Sequence, residues 1–276
     1  MLLKMHPQEI AMTITEARPF AVITGGSNGI GLELARQFLD AGHDILIAAQ
    51  DRDHLDAAAA ALASHKGTVT IHASDLSTEN GVRSLYDALD GRDVDVLCLN
   101  AGIGLGGPFA ETDLEHEFQL IDLNVRGTVH LTKLVLRDMV KRNTGKLLFT
   151  SSISASHVTP FEAVYGASKV FLRWFGEALR NELKDTDIGV TVLMPNATET
   201  DFFTRADMLD TRIGASDKDD PTMVAKAAFE ALMADKHKVV PGAKNKILTG
   251  ILDAAPAQVG AGFHRKLAEP GSADKG

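Results

Sequence analysis

Tyr165 and Lys169, four residues apart, are the pair in this chain best suited by type and spacing to acid–base work. On a helix that spacing puts both side chains on one face. A phenol with a pKa of about 10 is a poor base at neutral pH. An ammonium beside it favours the phenolate and draws its pKa down toward useful proton transfer. Taken alone, the pair equally fits a half-exposed surface contact. A second group, Thr24-Gly25-Gly26-Ser27-Asn28-Gly29-Ile30-Gly31, stands between a short apolar run and a helical pattern. Gly25 and Gly29 can take backbone angles closed to other residues, and Gly31 lets a helix lie close to a strand. Free N–H groups at the helix start then suit a pyrophosphate. A tight turn with no ligand has the same composition. The ten histidines show no metal-ligand spacing beside Cys, Asp or Glu, so no metal site is expected.

These residues need a scaffold, and short apolar runs alternating with longer helical patterns supply one. The runs at residues 20–24, 45–49, 68–72, 94–99, 146–150 and 190–194 read as strands, with a short seventh at 237–240. Helical patterns fill 30–41, 54–64, 79–89, 114–141, 162–184 and 221–234. Such alternation implies parallel strands joined by right-handed crossovers. The expected fold is α/β: a single Rossmann-like domain, doubly wound, with a parallel sheet of about seven strands and helices on both faces. Residues 1–18 read as an arm that is only partly ordered, and 19–250 as the catalytic domain. Residues 197–220 are polar with no clear period and read as a lid. The small residues of 251–276 suggest a partly flexible tail.

Composition narrows the class. Apolar residues make up 45% of the 276 and charged residues 24%, close to an ordinary globular protein. The net charge of −9 argues against general nucleic-acid binding, which needs a basic surface. No apolar stretch reaches the length of a membrane span, and residues 1–17 lack the apolar core of a signal peptide. The single cysteine, Cys98, sits in an apolar run and reads as a buried structural thiol. It agrees with a reducing compartment, and the cytoplasm is the expected location.

The glycine turn has the form T-G-x-x-x-G-x-G, and with it the chain resembles the short-chain dehydrogenase/reductase family over about residues 20–240. Further motifs follow in the family's order: Asp75-Leu76, Asn100-Ala101-Gly102, Asn124, Ser151-Ser152, Tyr165-x-x-x-Lys169, Pro195 and Thr200. The resemblance implies hydride transfer between a nicotinamide cofactor and a carbonyl or alcohol. It makes Tyr165 the acid–base and Ser152, thirteen residues upstream, the group that stabilises the substrate oxygen. Ser151 competes for that role, and spacing favours Ser152. Lys169 would tune the phenol and bind the ribose, and Asn124 would support a water-borne proton relay. Cofactor contacts are implied for Gly25, Ser27, Asn28, Gly29, Ile30, Gly31, Gln50, Arg52, Asp75, Leu76, Asn100, Ala101, Gly102, Tyr165, Lys169, Pro195, Thr198 and Thr200.

The cofactor's identity turns on the end of the second strand. An acid there binds the ribose 2′-hydroxyl and repels a 2′-phosphate. Ala49 and Gln50 stand at those positions, which favours NADP(H) over NAD(H). Arg52 could reach the phosphate, while Asp51 could turn back and select NAD. Where the family has Pro-Gly, this chain has Pro195-Asn196, and asparagine tolerates positive φ better than most residues. His157, Phe161 and Glu162 could face the substrate. His157 could equally be a solvated loop residue. Relatives pair through the two long helices, so a homodimer or homotetramer is expected. Two other classes remain open: a dinucleotide-sensing binding protein without catalysis, and a non-redox epimerase or dehydratase on the same fold.

Overall fold

A computed structural model describes residues 18–273. The expected N-terminal arm therefore lies, apart from Arg18, outside the described residues. The strands are β1 (Phe20–Thr24), β2 (Asp44–Ala49), β3 (Val69–Ala73), β4 (Val96–Leu99), β5 (Gly145–Thr150), β6 (Ile188–Leu193) and β7 (Lys238–Val239). All pair in parallel in the order β3-β2-β1-β4-β5-β6-β7. The doubly wound sheet expected from the alternation is what forms.

The sheet is buried on both faces, which is why its strands read as nearly unbroken apolar runs. Side chains alternate between two cores. Val22, Leu46, Leu97, Leu147 and Phe149 face one side. That side is covered by α3 (Glu79–Asp87), α5 (Thr128–Arg142) and α6 (Ala163–Glu182). Ile23, Ile45, Ile47, Cys98 and Leu148 face the other. There they meet α1 (Gly29–Asp40), α2 (Arg52–Leu62) and α9 (Pro221–Met233). Cys98 is fully buried, and burial pushes its thiol pKa up, so it packs as a small apolar group.

The chain runs outward from β1 to β3, then crosses back to β4 beside β1. A crevice opens at such a reversal, beyond the C-terminal strand ends. One expected element is interrupted there. The long helix over 114–141 is α4 (Leu114–Ile121), then a π-helical turn at Asp122–Gly127, then α5. The wider turn carries Asn124, and such insertions occur often at functional sites.

Beyond β6, the expected lid contains two short helices, α7 (Phe202–Arg205) and α8 (Arg212–Ala215). Phe203, Ala206 and Met208 of the lid are buried against Ala268. Two helices follow β7, α10 (Ala243–Ala254) and α11 (Ala257–Ala268), and much of the stretch 251–276 is thus helical. A bidentate Arg173–Asp253 pair, at 2.7 and 3.0 Å, ties α10 to α6. The end of the tail holds the lid: Gly271 N donates to Asp210 Oδ2 at 2.7 Å, and Arg212 N to Ser272 Oγ at 3.0 Å.

Candidate active site

One cavity of about 460 Å³ fills the crevice. The turn after β1 forms one wall with Gly25, Ser27, Asn28, Gly29 and Ile30. Gly25 and Gly29 sit at φ +65° and +51°, the left-handed region that favours glycine. Gly31 does not line the cavity. Its place is behind the turn, where an added Cβ would lie 2.1 Å from the Gly25 carbonyl oxygen. Its absent side chain is what lets α1 approach the strand. Asn28 precedes α1 without a side-chain cap, so the N–H groups of the first turn keep their donors for a ligand.

The floor is tied by Asn100. Its Nδ2 donates to the Thr24 carbonyl at 3.2 Å, and its Oδ1 accepts from Thr150 Oγ1 at 3.2 Å. Three strand ends are thus joined by one side chain. Ala101 and Gly102 continue the floor. Asp75, Leu76 and Gln50 line the far end. The buried Ser74 Oγ there has no partner among the described residues.

Ser152, Tyr165 and Lys169 form the opposite wall. Ser151 also reaches the cavity, but its hydroxyl donates to the Lys169 carbonyl at 2.7 Å. That bond fastens α6 to the end of β5 and leaves Ser152 as the neighbour of the phenol. Burial raises the Tyr165 pKa well above its ordinary value, and the Glu162 carboxylate adds to the rise. The Ser152 hydroxyl bond pulls the other way. Lys169 makes no hydrogen bond to the phenol among the described residues. Lys169 Nζ instead donates to the Thr150 carbonyl at 3.0 Å and lies 5.7 Å from the tyrosine ring centre. Burial lowers its own pKa to about 8.

That shift makes a prediction. Between about 8 and 10.5 the unfolded lysine still holds a proton that the folded one has lost. The unfolded state binds more protons, so stability rises with pH across this window. Lys169→Met should remove that rise, as read by urea melts of both proteins from neutral to alkaline pH. Parallel curves for the two would refute the assignment.

Asn124 is fully buried and clamps the floor rather than facing the cavity. Its Oδ1 accepts from Ile103 N at 2.9 Å. Its Nδ2 donates to the Ile103 carbonyl at 2.9 Å and to Ser168 Oγ at 3.1 Å. Both amide hydrogens are thus taken by protein acceptors. The same π-helical turn ends at Gly127, where a Cβ would sit 2.0 Å from the Leu76 carbonyl oxygen. Gly127 escaped the sequence reading, because only the fold shows that close approach.

Arg52 also departs from expectation. It does not line the cavity; it starts α2 and pairs with Asp56 at 3.1 Å, largely exposed. Asp51 caps the same helix by accepting from His54 N at 2.9 Å. Its carboxyl is held below the usual range by that bond first, and also by the charge of Arg205 on α7. Arg205 lines the cavity and carries a basic group to this edge. Pro195, Thr198 and Thr200 line the cavity as expected. Asn196 does not use a positive φ. Its Nδ2 donates to Asn245 Oδ1 of α10 at 3.2 Å, which anchors the loop another way.

Phe202, Glu162, His264 and His157 line the cavity as well. Phe202 of the lid packs 5.3 Å from the Tyr165 ring. Glu162 Oε2 lies 2.8 Å from His264 Nε2, and His264 Nδ1 lies 3.1 Å from His157 Nε2. His157 is therefore not a solvated loop residue. His264 comes from α11, in the stretch expected to be flexible. Apolar residues at Val259, Phe263 and Leu267, four apart, were the available sign of a helix there. Among the described residues no cluster of ligands suits a metal, and no helix is long and apolar enough to cross a membrane.

The chain is similar to known proteins along most of its length. The chain is 30% identical over 220 residues to an uncharacterized oxidoreductase of Staphylococcus saprophyticus, covering 79% of this chain and 92% of that protein. It is 32% identical over 177 residues to a Haemophilus influenzae protein named "Probable NADP-dependent dehydrogenase", covering 63% and 69%. A short-chain dehydrogenase from Sphingobium yanoikuyae, solved in complex with NADPH, superposes with a TM-score of 0.76 at 25% identity, over 86% of this chain and 96% of that one. The short chain dehydrogenase pattern matches residues 19–208, so this chain belongs to the short chain dehydrogenase family.

Proposed function

We propose that the protein transfers hydride between NADP(H) and a carbonyl or secondary alcohol. The observation that carries this reading is the pair of facing walls: Ser152, Tyr165 and Lys169 on one, the glycine turn on the other. The residues present fit a dinucleotide. Uncapped N–H groups at α1 suit its pyrophosphate, and the orphaned Ser74 Oγ offers a polar contact at the far end. Lys169 would reach the ribose, and Pro195, Thr198 and Thr200 would border the nicotinamide.

The nicotinamide, when bound, supplies or accepts the hydride. The chain's residues manage the proton and the oxygen. With its raised pKa, Tyr165 holds its proton at neutral pH, the form that protonates the substrate oxygen during reduction. Ser152 donates a hydrogen bond to the same oxygen as charge grows on it. Lys169, mostly an ammonium at neutral pH, supports the phenol when it becomes negative. Asn124 serves as a positioning residue that holds the floor at Ile103. Phe202 and the lid exclude water.

The choice of NADP rests on Ala49 and Gln50, since Asp51 is spent on its cap and Arg52 on Asp56. Arg205 supplies a basic group at that edge. Ala49→Asp should move preference toward NAD by about tenfold or more, a repulsion of roughly 1.4 kcal/mol or above. Steady-state ratios with both cofactors measure it; an unchanged ratio rejects the placement. For assembly, the exposed apolar face of α4 and α6, with Phe109, Phe118, Ile121 and Phe171, suits pairing of two copies.

Nicotinamide absorbance across a panel of carbonyls tests the main reading. Tight cofactor binding without hydride transfer favours a sensor. Substrate conversion without net absorbance change favours an epimerase or dehydratase.

A further inference from the structure

Glu162 is 3% exposed and its partner His264 is 2% exposed. Burying a carboxylate is costly unless it is matched, so this one needs a reason. The simplest structural use is available and is not taken. Glu162 occupies the N-cap of α6, yet its side chain makes no hydrogen bond to the helix. It is turned toward the cavity, which it lines together with Tyr165. The preceding residue is held in an unfavourable state to do so. Phe161 sits at φ +67°, where a bulky side chain costs on the order of 1–3 kcal/mol. The ring of Phe161 is pinned under the Arg265 guanidinium, 4.9 Å away.

The hydrogen-bond pattern leaves one valence open. Oε2 of Glu162 is taken by His264 Nε2. Oε1 has no partner among the described residues. It is also absent from the buried polar atoms that lack partners, so it is open to the cavity. His264 Nε2–H donates to the carboxylate, and His264 Nδ1 shares a hydrogen bond with His157 Nε2. The chain from loop to α11 thus orients the carboxylate and delivers no donor to Oε1. The same cavity is also lined by apolar side chains, among them Phe203, Ile213, Leu248, Phe263 and Leu267. An acceptor open to a cavity with these apolar linings, three residues from the phenol, suits a ligand that brings one donor on a largely apolar body.

We infer that Glu162 is a specificity residue, whose Oε1 accepts a hydrogen bond from a hydroxyl of the substrate a few bonds from the reacting carbonyl. This rests on the hydride-transfer reading above. A neutral hydroxyl supplies that donor without the larger hydration loss of an ammonium, and without bringing a second cation into a cavity already lined by Lys169. The ligand class is a hydroxylated ketone, or the matching diol, with an otherwise apolar frame.

The test uses matched pairs in the full-length protein: acetoin against butanone, and hydroxycyclohexanone against cyclohexanone. The ratio of kcat/KM within each pair is read for wild type, Glu162→Gln and Glu162→Leu. Because each ratio is internal to one variant, a general loss of activity cancels. Wild type should favour the hydroxylated member by about ten- to a hundredfold, the range of a hydrogen bond to a charged group. Glu162→Gln should keep only a few-fold of this preference, and Glu162→Leu none. A ratio near one in wild type, or an undiminished ratio in Glu162→Gln, overturns the inference, even if Glu162→Leu does not fold. If no ketone is turned over, the hydride-transfer reading fails separately. The same ratios are then read as calorimetric affinities of the paired ligands, with the same two outcomes.

Discussion

Tyr165→Phe should lose about a hundred- to ten-thousandfold in turnover while binding nicotinamide cofactor within a few-fold of wild type. The magnitude is that of removing one positioned proton donor. The substitution deletes a single oxygen and keeps the ring that packs against Phe202. The fold should therefore be nearly unaffected, and the loss should fall on kcat rather than on cofactor affinity. Buried Tyr165 carries its proton at neutral pH, with Glu162 reinforcing this. Carbonyl reduction, which consumes that proton, should thus be the better-supported direction at neutral pH. Alcohol oxidation should gain as pH rises toward the phenol's ionisation. Initial rates in both directions, with calorimetry of cofactor binding, test the set. Parent-rate turnover by Tyr165→Phe on every accepted substrate would remove the tyrosine from the chemistry.

The second large effect is on stability. In Gly31→Ala the new methyl group would meet the Gly25 carbonyl oxygen at 2.1 Å and its carbonyl carbon at 2.8 Å. Both are backbone atoms, so α1 must move away from the turn as a unit. Overpacking of this kind costs about 1–3 kcal/mol or more. A domain of this size loses roughly 2–4 °C in Tm for each kcal/mol. The displaced N–H groups should also weaken cofactor binding. Gly250→Ala is the counterpart. It lies within α10 with nothing within 4 Å of the added carbon. It should stabilise by about 0.5–1 kcal/mol through helix propensity alone. Thermal melts of the two variants should move in opposite directions. A Gly31→Ala protein that melts and binds cofactor like wild type would sink the packing account.

The parts legible from residue order share one physical trait: they repeat a strong local rule. Ile45, Leu46 and Ile47 read as a strand because both sheet faces are buried. The turn from Thr24 to Gly31 reads as a ligand cradle because strand, glycines and helix follow one another directly. What escaped depends on contacts between distant segments. The π-helical turn at Asp122–Gly127 keeps the apolar spacing of an ordinary helix, so periodicity runs straight through it. Arg52 and Asp51 stood at suggestive positions, yet each found a partner within its own helix. His264 lies a hundred residues from Glu162, and no motif links them. Burial raises the phenol's pKa, and that burial belongs to the folded surroundings, which residue order does not carry.

The anchoring of the lid by Gly271 and Ser272 has a consequence for how the pocket comes into being. On the proposed reading, the half of the sheet that would cradle a dinucleotide is composed of early residues, and synthesis delivers it first. The wall that would read the substrate waits for α11, and the lid's anchor for the segment after it. The glycine turn therefore emerges long before the side chains that complete the cavity. A fusion partner attached directly behind Ser272 bears on that cavity, although it is remote in sequence from Tyr165.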